Sequence, residues 1–584
     1  MSRAAPAVLV GIGLAVALVL VAVARLMLFG WAGVAPDDAR YVFIGLSTFD
    51  GNGPITPSGN LFLLRSPVYG VALAAGSVFT GNAPIEGARI VAVILTLAGL
   101  LAAVRLGWVL AGPVAAAGTA LALLAMPLIW RLLPTVRIDL PQAAGVGAML
   151  LALHGPTVRR WALAGALFGL TILVKETILL LALAPLAFAG TMPRARLAQL
   201  WGVFLGAAAV VASWWWIVVW LKSGEIFPLN AVGVIERRDV GADIRLDPFG
   251  VGLLGLVGAA WVVVAGDARR DAGLRLLVVA AACLVPPAAY ATLNGLSSRN
   301  YAGLAVLSAI AIGVAAARVV TWAMSRAPAR EPRLRVSALG LAAVVGIAGA
   351  TAGQIRVGDP GEPALPGQLV GWLRAETPPG DHVVMTFRYN EIVALDLYGD
   401  VAVPSLAAVR VDDDAPLPGF LWIGLRDQQL FGYTRSRWEA TLRRPGTSHL
   451  VLAGPHPLTP TELMPTLDRG GLPGVVRATS FEADDDWATI YRVDGAAVRA
   501  SPTDVALHLS PAAAIAWLDL ADGAPGGDAA SAAGQLAANG AIVVGPGADS
   551  LAQRLVGIAC LVPLTDLGSE AARIVPIGPA CSGG

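Results

Sequence analysis

Charged side chains are scarce in this chain of 584 residues. Asp, Glu, Lys and Arg make up 14% of it, whereas soluble domains hold about 25%. Hydrophobic residues make up 56%, and the mean hydropathy is +0.69, so much of the chain must lie in lipid. The net charge of +1 provides no basic field of the kind that nucleic-acid-binding proteins carry. We therefore expect no nucleic-acid partner.

Cysteine and histidine are also few, at three and five residues. They show none of the spacings of zinc or iron–sulfur sites, so we expect no such cofactor. Cys560 and Cys581 could form a disulfide if the C-terminal end is exported, and the sequence equally allows two thiols. No G-x-G-x-x-G follows a predicted strand and no P-loop is present, so nucleotide binding is not expected.

Long apolar segments are what the sequence has instead. A membrane-spanning helix needs about 20 apolar residues. The first segment, 6–29, is too long for the core of a signal peptide, and no A-x-A cleavage site stands out, so we interpret it as a retained membrane helix. The segment 66–80 is only marginally long, and we expect it to lie in the membrane interface. Eleven spans are predicted, at 6–29, 86–111, 113–130, 140–154, 161–174, 177–190, 198–221, 248–265, 274–292, 300–321 and 336–354.

Arginine decides the orientation of these spans. Eleven arginines, with few acids beside them, lie in the loops 154–160, 191–197, 266–276 and 322–336. Loops rich in Lys and Arg stay in the cytoplasm. The N-terminus is therefore expected to be cytoplasmic, and the region that follows the last span to lie outside the plasma membrane. A twelfth span at 66–80 would put the arginines outside.

The C-terminal third is polar and rich in Pro and Gly. We expect an extracytoplasmic α/β domain at 356–584, after a membrane domain at 1–355 whose first outer loop is 30–85. It could divide into two units, 356–497 and 498–584, and would cover the membrane site or dock a partner. Predicted helices are 369–376, 390–399 and 435–444; predicted strands are 382–387, 401–406, 449–454 and the hairpin of "VVRATSF" and "WATIYRV". The segments "AASAAGQLAANG", "AIVVGP" and "ADSLAQRLVGIA" form a second set of the same kind.

The predicted orientation places eight ionisable residues at the outer face, each at or within a turn of a span end. Such a group is costly there unless it is used or reaches water. Any one of them could simply snorkel to the surface or cap a helix. A group that mixes both signs on one face predicts a shared site. The eight are Asp37, Asp38, Arg40, Arg65, Arg137, Asp139, Lys175 and Arg299.

These residue types suit a sugar donor that is carried on a lipid phosphate. A carboxylate at the boundary of membrane and water can act as a general base on an acceptor hydroxyl. Two adjacent carboxylates push their pKa values apart, so one can act while the other orients or binds. Arg65, Lys175 and Arg299 could bind a phosphate at the level of the lipid headgroups.

Six short motifs follow one another along the membrane domain: "DDARY" (37–41), "RSPVYGVAL" (65–73), "GARIVAVIL" (87–95), "RIDLPQAA" (137–144), "LVKETILLL" (173–181) and "SRNYAGLAVLSAIAI" (298–312). Their order and the topology resemble the polytopic GT-C glycosyltransferases of the protein O-mannosyltransferase and aminoarabinose-transferase type. The resemblance covers about residues 1–355 and implies an α-helical membrane fold of about 11 transmembrane helices. That family often has Glu at the second acidic position and a fuller "PPL" where this chain has "SPVY", which bears on the substrate class more than on the reaction.

The resemblance also implies the reaction, an inverting sugar transfer from a polyprenyl-phosphate donor to an acceptor in the cell envelope. Asp37 would be the general base. Asp38 would support the acceptor site or assist Asp37 as base. Arg40, Arg65, Lys175 and Arg299 would hold the donor phosphate. No cofactor is required by this chemistry, although the acids could bind a divalent ion. The pocket would be shaped by Tyr41, Tyr69, Arg89, Asp139 and Tyr301.

Two other functions are open to such a chain. A transporter or flippase of a lipid-linked substrate would hold its ionisable residues near the bilayer midplane, between inverted repeats. Here they lie at the outer edge, and no internal repeat is visible in the membrane domain. A non-catalytic membrane scaffold with an exported binding domain would tolerate neutralisation of Asp37, whereas the transferase would not.

Overall fold

The chain folds into two compact units. The computed structural model describes single positions between 13 and 62 and between 442 and 518, together with residues 36–55, 65–80, 84–223, 250–293, 298–326, 364–378, 381–385, 390–396, 446–454, 463–468, 473–483, 486–500, 508–509, 529–538, 542–544, 547–563 and 571–576. The membrane unit comprises Met1–Gly33, Arg65–Val218 and Ile235–Gly361. The C-terminal unit comprises Val34–Leu64, Val219–Val234 and Glu362–Gly584.

Helices make up the membrane unit. Among the described residues, four stretches are long and apolar enough to cross a membrane: Pro84–Ala125, Arg194–Lys222, Ala272–Ala289 and Arg299–Trp322. The expected polytopic helical fold is therefore confirmed, while the number of spans stays a prediction, since 336–354 and all but single positions of 6–29 lie outside the described residues. The helices in chain order are Val68–Ala75, Ser77–Thr80, Pro84–Ala125, Pro127–Leu132, Asp139–Leu153, Val158–Val174, Glu176–Phe188, Arg194–Ser223, Gly250–Ala268, Ala272–Leu293, Ser298–Tyr301 and Ala302–Arg326.

The long element Pro84–Ala125 contains a bend where the sequence predicts two separate spans. Gly112 has φ +82°, a left-handed conformation, and Pro113 follows it. Glycine adopts that conformation without a steric penalty, and proline removes a backbone donor. The predicted break between residues 111 and 113 is thus a kink between two helical segments.

The marginal segment 66–80 forms two short helices. Val68–Ala75 has eight residues, which is about 12 Å of helix, and a second helix of four residues follows at Ser77–Thr80. Both are far shorter than the roughly 30 Å of a bilayer core, which agrees with leaving this segment out of the span count.

The helix Glu176–Phe188 is of the 3-10 type and has 13 residues. At about 2.0 Å per residue it reaches about 26 Å, more than an α-helix of equal length.

Small residues bring two helices of the membrane unit into backbone contact. A Cβ added at Gly313 on helix Ala302–Arg326 would lie 2.3 Å from the carbonyl oxygen of Ala115. One added at Gly118 would lie 2.8 Å from the Cα of Gly313. In lipid, where apolar burial does not drive helices together, such close packing is a main source of helix association.

In the part of the C-terminal unit that the structure describes, the strands form two four-stranded sheets with the same topology. In the first, the order is β1-β2-β4-β3, with β1 and β2 parallel and the other pairs antiparallel. In the second, the order is β5-β6-β8-β7, with the same sequence of parallel and antiparallel pairs. The strands β1 to β8 are His382–Met385, Thr447–Gly454, Val475–Ala483, Asp486–Val493, His508–Leu509, Ile542–Val544, Ala559–Pro563 and Ala571–Pro576.

Helices and a shared apolar core join the two sheets. Buried residues of both sheets, from Leu450 and Tyr491 to Val543 and Ile574, belong to one cluster, which also includes Leu551 of helix Ala548–Leu555. The predicted C-terminal α/β domain is confirmed, whereas the predicted strand 401–406 and nearly all of the predicted helix 435–444 lie outside the described residues. The helices are Pro36–Phe49, Ala364–Glu376, Asn390–Asp396, Leu463–Asp468, Gly495–Ala500, Ala529–Ala538 and Ala548–Leu555.

The structure shows whether one of the two C-terminal cysteines is oxidised. Cys560, in strand β7, is disulfide-bonded, which rules out two thiols at the C-terminal end. Cys581 lies outside the described residues.

Replacing Gly313 by Val should destabilise the membrane unit, because the new side chain would collide with the backbone of Ala115. Overpacking of this kind costs about 1–3 kcal/mol. Gly202→Val is the matched control, since a Cβ at Gly202 meets nothing within 4 Å. The measurement is the temperature at which half of the purified chain in detergent is lost from the monomer peak. Equal shifts for both variants would contradict the close packing.

Protonation of His449 should weaken the first sheet at acidic pH. Its ring lies edge to face against Trp372, with 5.2 Å between ring centres, and it is 2% exposed. Burial, and next the charge of Arg492, lowers the pKa of His449 below its ordinary value of 6.5. The unfolded chain therefore binds the proton more readily. The stability that the neutral ring of His449 contributes is fully present above pH 6.5. It is lost as the pH falls from there through the lower pKa of the folded state.

The variant His449→Phe keeps an aromatic ring and removes the titration. Tryptophan fluorescence during thermal unfolding, at pH 7.5 and pH 5.0, should show a smaller loss of stability on acidification in the variant than in the natural chain. The same loss in both would show that His449 does not contribute to it.

Candidate functional site

Lys175 lies at a break between two helices of the membrane unit. It is the extended residue, with φ −160° and ψ 127°, between helix Val158–Val174 and the 3-10 helix Glu176–Phe188. The Nε2 of Gln142 donates to its carbonyl oxygen at 2.7 Å and to Thr177 Oγ1 at 3.1 Å. Irregular backbone is tolerated among membrane helices where neighbouring groups satisfy its polar atoms. Gln142 supplies this at the break.

The side chain of Lys175 forms a buried ion pair. Its Nζ donates to Asp139 Oδ1 at 2.6 Å and to Asn300 Oδ1 at 2.7 Å. Asp139 is the first residue of helix Asp139–Leu153, where the helix dipole favours a negative charge. Asp139 is 2% exposed and Lys175 6%, so both charges depend on protein partners rather than on water.

Two arginines surround the same carboxylate. The Nε of Arg299 lies 3.9 Å from Asp139 Oδ2, and the charge of Arg65 acts on both Asp139 and Lys175. We call these four residues the Asp139 cluster; it holds three cations and one carboxylate. The side chain of Arg299 is 31% exposed, so a charge of this cluster is accessible to an anionic ligand.

The cluster forms because three chain breaks meet in the membrane unit. They are the start of helix Asp139–Leu153, the break at Lys175, and the 3-10 turn Ser298–Tyr301 that precedes helix Ala302–Arg326. Tyr69 fixes a fourth element, since its hydroxyl donates to the carbonyl of Val136 at 2.8 Å. This bond ties helix Val68–Ala75 to the segment that leads into Asp139.

Three further ionisable residues that the sequence singles out also belong to the membrane unit. Arg89 is buried, at 5% exposed, in Pro84–Ala125. Tyr301 is half-buried in the 3-10 turn that also supplies Arg299. Arg137 is half-buried and lies two residues before Asp139. Their predicted roles stay predictions.

Three polar residues beside the cluster were missed by the sequence analysis. Gln142, Thr177 and Asn300 line a cavity of about 20 Å³, which is room for about one water molecule. They carry no charge, so a search for ionisable residues at span ends passes over them. Their position in the sequence could have identified them, because Gln142 lies inside the motif "RIDLPQAA" and Asn300 inside "SRNY".

Asp37 and Asp38 lie in the C-terminal unit, in the first turn of helix Pro36–Phe49. Proline at the first position and acids in the first turn both favour a helix start. The side chain of Asp37 is 36% exposed, whereas Asp38 is 2% exposed. The structure thus separates the two acids: Asp37 is accessible and Asp38 is buried.

Arg40 and Tyr41 follow on the same helix. Arg40 Nη1 lies 3.5 Å from Asp37 Oδ1, and the arginine is buried. Tyr41 is half-buried, one turn after Asp37 and on the same helical face. Most of the helix is buried around this partly accessible face, which also includes Thr48.

Comparisons with known proteins identify the fold. No family model matches the chain, and no curated protein sequence matches it. The crystal structure of ArnT from Cupriavidus metallidurans bound to undecaprenyl phosphate aligns with a TM-score of 0.56 and 15% identity, over 84% of this chain and 99% of that one. The same protein in the apo state gives 0.57 and 16%, over 86% and 100%.

A third structure is less similar. The Archaeoglobus fulgidus oligosaccharyltransferase in complex with Zn and sulfate gives a TM-score of 0.45 at 16% identity, over 74% of this chain and 67% of that one; this likeness is too low to carry an argument. The likeness to ArnT confirms the expected GT-C fold. At 15–16% identity it establishes the fold alone, so the function must be argued from the residues.

Removing the charge of Asp139 should destabilise the chain more than removing that of Lys175. Asp139→Asn leaves Lys175 and Arg299 beside a neutral amide, whereas Lys175→Met leaves Asp139 next to Arg299. Breaking a buried pair by removing one partner costs about 3–5 kcal/mol.

The measurement is thermal unfolding of the purified chain in detergent. Asp267→Asn is the control, because its pair with Arg318 at 3.0 Å is nearly half exposed and such pairs contribute about 0–1 kcal/mol. A larger loss for Lys175→Met than for Asp139→Asn would show that Asp139 is not the residue that the cations depend on.

Proposed function

We propose that this chain is a membrane glycosyltransferase that moves a sugar from a polyprenyl-phosphate donor to an extracytoplasmic acceptor with inversion. The observation that carries the proposal is the Asp139 cluster, three cations held around one buried carboxylate in a chain with the fold of ArnT. The ArnT structure bound to undecaprenyl phosphate supports a lipid phosphate as the ligand. The acceptor would be a glycan, lipid or protein of the cell envelope.

The cluster would bind the donor phosphate. Guanidinium groups match phosphate oxygens in charge and in bidentate geometry, and Arg299 and Arg65 are the less buried cations of the group. Lys175 has three N–H donors, of which Asp139 and Asn300 take two among the described residues. The third can serve a ligand. Lys175 would then fix one phosphate oxygen while the arginines hold the others.

Leaving-group stabilisation follows from this arrangement. When the bond between the anomeric carbon and the phosphate oxygen breaks, the lipid phosphate gains negative charge. Cations that are already in place stabilise that charge more in the transition state than in the ground state. The proposal therefore requires no metal ion, since side chains alone can neutralise a departing monophosphate.

Asp37 would be the general base. It would take the proton from an acceptor hydroxyl or amine as that group attacks the anomeric carbon from the face opposite the phosphate. A base must reach its substrate, and Asp37 is the accessible member of the acid pair. Arg40, beside Asp37, would orient the carboxylate or contribute to the donor phosphate, and the buried Asp38 would support the helix.

Asp37→Asn should abolish sugar transfer and leave folding near normal. The amide keeps the size of the side chain but cannot accept a proton, and loss of a general base lowers rates by about 10²–10⁴-fold. The measurement is release of polyprenyl phosphate from a panel of undecaprenyl-phosphate sugars in the presence of an envelope fraction.

Asp50→Asn, an exposed substitution just after the same helix, is the matched control and should keep full activity. Full activity of Asp37→Asn would remove the base assignment and favour the non-catalytic scaffold.

A further inference from the structure

We infer that helix Asn390–Asp396 of the C-terminal unit holds helix Pro36–Phe49 in place and thereby positions Asp37. This inference rests on the proposed function, because it takes Asp37 as the catalytic base. It gives the C-terminal unit a part in the reaction that its sequence does not indicate.

The two helices pack against each other within the C-terminal unit, although they are far apart in sequence. Both helices carry apolar residues that are buried. Those of the longer helix are Ala39, Val42, Phe43 and Ile44, and those of the shorter are Ile392, Val393 and Leu395. Buried apolar side chains at such a contact hold two short helices together more strongly than any polar contact at their ends.

The shorter helix is itself anchored to the first sheet. Arg374 Nη2 donates to the carbonyl of Asp396 at 2.8 Å, which places a cation at the last carbonyls of the helix, where it is favourable. Arg374 belongs to helix Ala364–Glu376. The last residue of that helix, Glu376, pairs with Arg492 of strand β4 at 2.5 Å. A continuous set of contacts therefore leads from the sheet to the helix of Asp37.

The module of the first sheet contacts the acidic helix, Pro36–Phe49, through the helix that directly follows β1. Among the described residues, Asn390–Asp396 packs chiefly on Pro36–Phe49 and on Ala364–Glu376.

The acidic helix needs such support. It has 14 residues, a length at which an isolated helix is marginal in water. A base that is displaced by about 1 Å can cost roughly 10²-fold in rate. Firm packing of Pro36–Phe49 is therefore required for Asp37 to act.

The test is the double variant Ile392→Ala with Val393→Ala in the full chain in nanodiscs. Alanine is the best helix former, so the helix itself should persist. The control is Leu551→Ala with Leu555→Ala on helix Ala548–Leu555. It removes two fully buried side chains from the apolar core of the two sheets in the same unit and leaves the residues that contact Pro36–Phe49 unchanged. The readouts are hydrogen–deuterium exchange of residues 36–49, the turnover rate, and the KM for the donor.

The first variant should speed exchange of residues 36–49 and lower turnover about tenfold or more, with the donor KM within about twofold. The control should change neither exchange of 36–49 nor turnover. Unchanged exchange in the first variant, or equal exchange in both, would overturn the inference without use of activity. Faster exchange with full turnover would overturn the positioning role. Failure of the proposed function is seen separately, as full activity of Asp37→Asn.

Discussion

The buried ion pair between Asp139 and Lys175 is the contact on which the candidate site depends. Its 2.6 Å distance joins the start of one helix to a break between two others. Taking two charges out of water is costly, and here the cost is offset by further partners: Asn300 accepts from Lys175, and Arg299 lies beside Asp139. Without the carboxylate of Asp139, Lys175 and the two arginines would repel one another in a poorly solvated place. With it, the three cations can be held in order before a ligand binds.

This constraint also explains why the helices break where they do. A lysine inside a continuous helix would present its side chain along the helix surface, whereas an extended residue turns the chain and leaves its carbonyl in need of a donor. Gln142 meets that need, so the break and the ion pair are fixed by the same neighbouring helix. The shape of the site is therefore set by hydrogen bonds to backbone as much as by the charges themselves.

Much of the fold could be predicted from the sequence, because apolar length and alternation report directly on burial. The strand "HLVLAG" and the helix "NEIVALD" lie where their patterns predict. Strands β7 and β8 were missed, since their residues alternate weakly between turns. The 3-10 form of Glu176–Phe188 was also missed, because it depends on backbone hydrogen bonding that no side-chain pattern reports.

The candidate site was predictable in its charges and not in its neutral members. Asp139, Lys175 and Arg299 were singled out because ionisable groups at span ends are expensive. Asn300 was not, because an amide costs little and is common. The difference in exposure between Asp37 and Asp38 depends on which face of their helix is covered by the rest of the unit. Two adjacent aspartates in the sequence do not indicate which of them is buried.

The central claim is that the Asp139 cluster binds the phosphate of a lipid-linked donor. A density map of the full chain in nanodiscs with undecaprenyl phosphate bound tests it most directly. The account predicts a phosphate within hydrogen-bonding distance, about 2.7–3 Å, of the guanidinium groups of Arg65 and Arg299, with the Asp139–Lys175 pair intact beside it. A phosphate bound away from this cluster, with both arginines contacting protein groups alone, would contradict it.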